Sequence, residues 1–305
     1  MKYALSILMI YLTSIACGSE FQKIDLPTKA DINEIYFDNP AYGWAVTSDG
    51  ELLSTWDGGK TWKMKKVTSR KINDIEFMGR RGYLAGNRGL IMKSTDRGAT
   101  WQDISMNIKY RFTAVGIPND SSALVCGTDQ NSMAKTRGVL YHSWNYGKSW
   151  KKAPRYGNGY ADIAVTRPKK TYVLAIKRVS HSINAGMNYF HGKYEGGRLA
   201  FDFDFIRDWG FMVGSKGYFA KSNTHGKIWE EIEPDITKDL FAVDMFDTSS
   251  GVAVGQDGIV IFFHEDGKRI NAKHCGYNID LYTVFITSKK IFIGGRDGVM
   301  LVMER

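Results

Sequence analysis

The 305 residues are 43% hydrophobic and 24% charged, with three cysteines. This excludes a disulfide-built scaffold and a chain too small or too polar to bury a core, and a repeat fold could use the whole length as one domain. The net charge of +9 is uneven: residues 1–59 carry 3 Lys/Arg against 8 Asp/Glu, residues 60–155 carry 19 against 6, and residues 156–305 carry 19 against 18. The positive field therefore belongs to one sector.

The chain opens with Met1-Lys2 and an apolar run from Ala4 to Leu12, too short to span a bilayer but of the length of an export-signal core. A small residue, Ala16, then directly precedes Cys17. This resembles the bacterial lipoprotein box, with Ser14 where leucine is usual. The resemblance implies a signal peptide over 1–16, lipid attached to Cys17 and a short tether over 17–20. The alternative is an ordinary signal peptide with an incidental cysteine. The expected location is the bacterial cell envelope. Cys126 and Cys275 fall in distant repeats and are expected as packed, unpaired thiols.

From residue 21 onward an apolar-x-x-apolar-x-apolar motif recurs seven times, as in Ile32/Ile35/Phe37, Ile72/Ile75/Phe77 and Leu240/Val243/Met245. Its middle residues lie at 35, 75, 115, 163, 203, 243 and 284. Between motifs lies a turn reading Ser-x-Asp-x-Gly-x-Thr-Trp, clearest at Ser94–Trp101. Its structural residues are Asp57, Gly59 and Trp62; Asp96, Gly98 and Trp101; Asn145, Gly147 and Trp150; Asn184, Gly186 and Tyr189; Gly226 and Trp229; and Gly267. The Asp or Asn is expected to accept backbone N–H groups two residues on, the glycine to supply a positive φ, and the aromatic to pack on a neighbouring sheet. No metal is expected: single carboxylates about 40 residues apart cannot furnish the oxygen shell of calcium.

Within a unit the order is strand, turn, strand, tight Gly-x-x-Gly hairpin, strand, box, strand. Seven such units predict an all-β, seven-bladed propeller of four-stranded blades over residues 21–305. The last unit ends after its third strand, and Phe21-Gln22-Lys23-Ile24 matches Trp101-Gln102-Asp103-Ile104. The N-terminal segment is therefore expected to complete the last blade and close the ring.

These boxes resemble the Asp-box, or BNR, repeat, and Gly43-Trp44-Ala45-Val46 followed by Ser54–Trp62 is similar to the photosystem II assembly and stability factor family. The resemblance implies a non-catalytic propeller that helps assemble a membrane complex. Sialidase-type propellers are more distant relatives, and their Arg-Ile-Pro is absent. The fold hosts many functions, so the site must be argued separately.

Topology puts the hairpins between second and third strands, and the links between blades, on one face, here called the top; the boxes lie on the other. The top then gathers Arg70, Lys71, Arg88, Lys109, Arg111, Lys135, Arg137, Arg155 and Tyr156. The long loop of the third unit, near residues 128–138, falls on the same arc. This arc is the candidate site for an acidic protein surface or membrane-complex subunit, or for an anionic glycan. The six histidines have no metal spacing, no nucleophile elbow occurs, and no catalytic residue, cofactor or nucleic-acid partner is expected. The reading is a monomeric, lipid-anchored protein-binding scaffold that touches the membrane through its anchor. The alternative is a carbohydrate-active propeller, which a channel mouth lined by facing carboxylates and aromatics would favour.

Overall fold

In the computed structural model, which describes residues 20–129, 137–153, 158–166, 170–194 and 198–305, seven antiparallel four-stranded sheets follow one another around a ring. Blade 1 is β2 (Ile32–Phe37), β3 (Gly43–Thr47), β4 (Glu51–Thr55) and β5 (Lys63–Lys66), paired in that order. The innermost strands of blades 2 to 7 are β6 (Ile72–Met78), β10 (Tyr110–Gly116), β14 (Asn158–Thr166), β18 (Ala200–Ile206), β22 (Leu240–Asp247) and β26 (Leu281–Ile286). Each packs on its neighbours, and β26 packs on β2. The expected closure is present: β1 (Gln22–Ile24) pairs with β28 (Met300–Glu304) as the fourth strand of blade 7.

The odd spacing of the sevenfold motif has a backbone cause. Every inner strand shifts register after its first apolar residue, between Ile32 and Glu34, Ile72 and Asp74, Phe112 and Ala114, Tyr160 and Asp162, Ala200 and Asp202, Leu240 and Ala242, and Leu281 and Thr283. A β-bulge places two residues opposite one, so residues three apart, such as Ile32 and Ile35, are both buried in the same strand. Without the bulge a period of two would put them on opposite faces.

The apolar core is divided among the blade junctions, with one cluster between each adjacent pair. Ile72, Ile75 and Phe77 of blade 2 meet Trp44, Val46 and Leu52 of blade 1, and Ile32, Ile35 and Phe37 meet Phe292 and Met300 of blade 7. Cys126 and Cys275 are buried, unpaired thiols in different clusters.

Candidate functional site: the channel and its mouth

In blades 1 to 5 each box is a hydrogen-bonded plug. Asp96 Oδ1 accepts the N–H of Thr100 (2.9 Å) and the hydroxyl of Ser94 (2.8 Å), while its Oδ2 accepts the Thr100 hydroxyl. The N–H partner therefore lies four residues on, not two. The buried Ser94 hydroxyl also accepts the Gly98 N–H (2.8 Å), a role repeated by Thr55, Ser143, Ser182 and Ser222. Gly98 has φ 82°, and a Cβ there would lie 3.0 Å from the Trp44 indole nitrogen of the preceding blade. The Trp101 indole closes the turn on the Gly98 carbonyl (3.1 Å). The hydroxyl and amide donors of Thr100 hold the Asp96 carboxyl down at about 2, and those of Thr61 do the same for Asp57.

A second set of carboxyls, absent from the predicted site, lines the central channel. They fill the x positions of the motif: Glu34, Asp74, Asp162 and Asp202 at one level, Glu76, Asp204 and Asp244 at the next. Glu34 accepts the hydroxyl of Thr283 in the preceding blade (2.9 Å), and five others reach an N–H of the following blade. Asp74 accepts the N–H of Val115 (2.6 Å), Glu76 that of Ile117 (2.9 Å), Asp202 that of Val243 (2.7 Å), Asp204 that of Met245 (3.1 Å) and Asp244 that of Ile286 (2.6 Å). The bulged inner strands thus staple blade to blade. Enclosure by seven strands pushes the carboxyls of Glu34, Asp74, Asp202 and Asp244 well above the usual range, and those of Asp162 and Asp204 upward too. Asp162 and Asp202 hydrogen-bond to each other, as do Asp204 and Asp244. Such a contact requires a shared proton.

Toward the top the channel opens into a cavity of about 480 Å³. Its wall has two halves. Blades 1 to 3 contribute Asn33, Asn73 and Thr113, whose side chains donate to carbonyls of the next blade (Ile72, Phe112 and Tyr160). Blades 5 to 7 contribute Phe201, Phe241 and Tyr282, ring centroids 6.0 Å apart in succession.

The link residue before each inner strand reveals what is unusual about the basic side. In blades 6, 7 and 1 it is Asp239, Asp280 or Asp31, and each caps the hairpin of the preceding blade by accepting the N–H of Lys216 (2.8 Å), Asp257 (3.2 Å) or Asp297 (3.0 Å). In blades 2 and 3 the same place holds Lys71 and Arg111, which have no acceptor to offer. Both line the mouth, and neither makes an ion pair among the described residues. Burial, and then the Arg111 charge beside it, pulls the Lys71 ammonium pKa down.

The other predicted residues divide. Arg70 is bound to Asp103. Arg88 stands exposed at a hairpin tip with φ 57°, and Lys109 and Arg137 are exposed on the same side. Lys135, Arg155 and Tyr156 lie outside the described residues, as do the predicted signal segment, Cys17 and most of the tether. The basic excess is not confined to the top: Arg80, Arg97 and Lys148 lie in turns on the box face. Among the described residues no cluster of three His, Cys, Asp or Glu is arranged to hold a metal, and no helix is long and apolar enough to cross a membrane. The channel carboxyls had a sequence signal, an acidic residue two places after the first apolar residue in Ile32, Ile72, Tyr160 and Ala200 motifs. The apolar pattern hides it, because those positions are its spacers.

Fold and site together define a box-repeat seven-bladed propeller whose channel is lined by carboxyls and carries Lys71 and Arg111 at its top mouth. The model of the photosystem II assembly factor YCF48 family matches residues 14–180, more than half of the chain, and the chain belongs to that family. Photosystem II stability/assembly factor HCF136 of Arabidopsis thaliana is 24% identical over 326 residues, spanning 93% of this chain and 79% of the relative. Photosystem II assembly lipoprotein Ycf48 of Synechococcus sp. (strain CC9902) is 31% identical over 145 residues, spanning 44% and 40%. A solved structure described as YCF48 bound to D1 peptide superposes with a TM-score of 0.75 at 19% identity, covering 93% of this chain and 96% of that one, a likeness of fold.

Proposed function

We propose that the protein is an envelope assembly factor that captures an acidic or carboxylate-bearing segment of a membrane-complex subunit at the top mouth. The observation that carries this reading is the exchange of a capping aspartate for a cation at Lys71 and Arg111. The fold uses a carboxylate at that place in three other blades, so the two cations serve something other than the fold. Arg88, Lys109 and Arg137 widen the positive arc beside them. The printed descriptions of the relatives, assembly factors of a membrane complex and one bound to a peptide, support a protein partner. The lipoprotein description of a relative supports lipid attachment at Cys17 and an anchored, exported location.

The carbohydrate reading expected facing carboxylates and aromatics at the channel mouth, and both groups are there. The carboxyls, however, are occupied by backbone N–H groups and by one another. A glycosidase needs one carboxylate free as base or nucleophile and one free as acid. The protein-capture reading is therefore preferred.

The test is crosslinking in the native membrane, followed by identification of what co-purifies. A defined membrane-complex subunit should be captured by the native chain and lost in the Lys71→Glu, Arg111→Glu double variant, with the thermal midpoint unchanged. Equal capture by the variant would remove the mouth as the site. No protein capture, with retention on a glycan array, would support the carbohydrate reading.

A further inference from the structure

The four most exposed large apolar side chains among the described residues stand together on the box face: Ile228 (69%), Met187 (64%), Ile183 (59%) and Phe190 (54%). They belong to the boxes of blades 4 and 5 or follow them directly. The fold does not ask for them. In the box of blade 2 the places of Ile183, Met187 and Ile228 hold Thr95, Ala99 and Thr100. Thr100 ties its box through both its N–H and its hydroxyl, whereas blade 5 keeps only the N–H tie, from Ile228 to Thr224 Oγ1 (2.9 Å), and leaves the isoleucine side chain outside. None of the four packs in a blade-junction core.

The apolar area continues across neighbouring blades. Phe190 stacks on His181 (5.3 Å), which faces His225 of the blade 5 box (6.2 Å). Trp144 covers His142 (4.1 Å), and the His142 ring lies directly beneath Gly186 of the blade 4 box. Cations stand among these groups. Lys148 and Lys227 occupy the same box position in blades 3 and 5, are exposed, and make no ion pair among the described residues. The nearby acid Asp208 is already held by Lys170 and His225.

The chain also enters the ring from this face. Glu20 stands where Thr100 stands in blade 2: the Lys273 ammonium reaches it (2.6 Å) as the Lys65 ammonium reaches the neighbouring Ala99 carbonyl (3.4 Å). Glu20, the first described residue, therefore stands at the box side.

We propose that the box face of blades 3 to 5 docks on an anionic lipid surface. Ile183, Met187, Phe190 and Ile228 enter the headgroup layer while Lys148 and Lys227 meet lipid phosphates. Exposed apolar side chains in and beside the boxes, with exposed cations in the boxes on either side, suit a bilayer, which needs depth and charge but no complementary shape. The top mouth then faces away from the membrane.

The experiment uses the chain from Gly18 onward, which retains every strand of all seven sheets and lacks the apolar run and Cys17. Cosedimentation is measured with vesicles of phosphatidylglycerol and phosphatidylcholine, and with phosphatidylcholine alone. The native chain should pellet with the anionic vesicles and weaken with salt. Binding should fall by about tenfold or more in Ile183→Ser, Met187→Ser, Ile228→Ser, and similarly in Lys148→Glu, Lys227→Glu, each with an unchanged thermal midpoint. No pelleting of the native chain, or equal binding by the serine variant, overturns the proposal. So does a dimer that the serine substitutions dissolve in a chain that binds no vesicles, since the patch would then be a contact between two copies.

Discussion

The box aspartates and the channel carboxyls are the same chemical group in the same blades, held in opposite states. Asp96 lies in a water-exposed turn where the Thr100 hydroxyl and N–H, with Ser94, donate to it, and its carboxyl falls to about 2. Asp202 also accepts a backbone N–H, from Val243, yet its carboxyl rises because protein encloses it and Asp162 lies beside it. Donated hydrogen bonds therefore decide the charge only where water still solvates the anion. Where desolvation and a like charge act together, they outweigh one good donor. The boxes of blades 1 and 2 favour the anion, and enclosure in the channel favours the protonated form of its carboxyls.

The comparison is tested most broadly by the pH dependence of unfolding. An unfolded carboxyl titrates near about 4. The raised channel groups contribute stability that is fully present below that value and lost as pH rises through their folded values. The lowered box groups contribute stability present above about 4 and lost as pH falls through about 2. Calorimetric midpoints should therefore peak in a mildly acidic window around pH 4–5, decline steadily toward alkaline pH, and fall on a separate limb in strong acid. A plateau extending to pH 8 would mean that the channel carboxyls are ionised at no cost, and the contrast would fail.

A single channel position sharpens the same point with a smaller effect. In Asp202→Ala the Val243 N–H loses its acceptor inside the ring, at a cost of about 1–3 kcal/mol read near pH 4. Asp202→Asn keeps an acceptor for that N–H but cannot ionise. It should unfold like the native chain at pH 4 and be more stable than it at pH 8, as read from urea titrations. Equal destabilisation by asparagine at both pH values would show Asp202 to be a working anion.

The blade count, the closure of the ring by Gln22–Ile24 and the roles of Gly98 and Trp101 were legible because each rests on spacing or on one residue's own shape. The staples were not, because they depend on partners one blade away. Asp74 finds Val115 only after the bulge at Asn73 turns its side chain into the channel. The box error has a similar origin. A two-residue Asx turn is the local default, but Ser94 already receives the Asp96 N–H and the Gly98 N–H, so the carboxyl reaches on to Thr100. On the top face the charge count located Lys71 and Arg111 but could not separate them from Arg70. That distinction needed Asp103 in space, across the outer strand of the next blade.

The smallest effect is expected at Asp96→Asn, and blade 3 supplies its template. There Asn145 accepts the Ser149 N–H (2.9 Å) through Oδ1 and donates from Nδ2 to the Ser149 hydroxyl (2.8 Å), and the plug forms without an anion. The Thr100 hydroxyl can turn to accept in the same way, so the substitution removes charge assistance while every donor keeps a partner. The cost at pH 7 should be below about 1 kcal/mol, since the group is solvent-exposed. It should shrink as the native Asp96 takes up its proton near about 2, where the native and variant chains become equivalent. Midpoints measured at pH 7 and at the acid limb separate the two possible origins. A difference that closes in acid assigns it to the anion, and one that persists assigns it to the geometry of the turn, in which case the box would owe its stability to hydrogen-bond count alone.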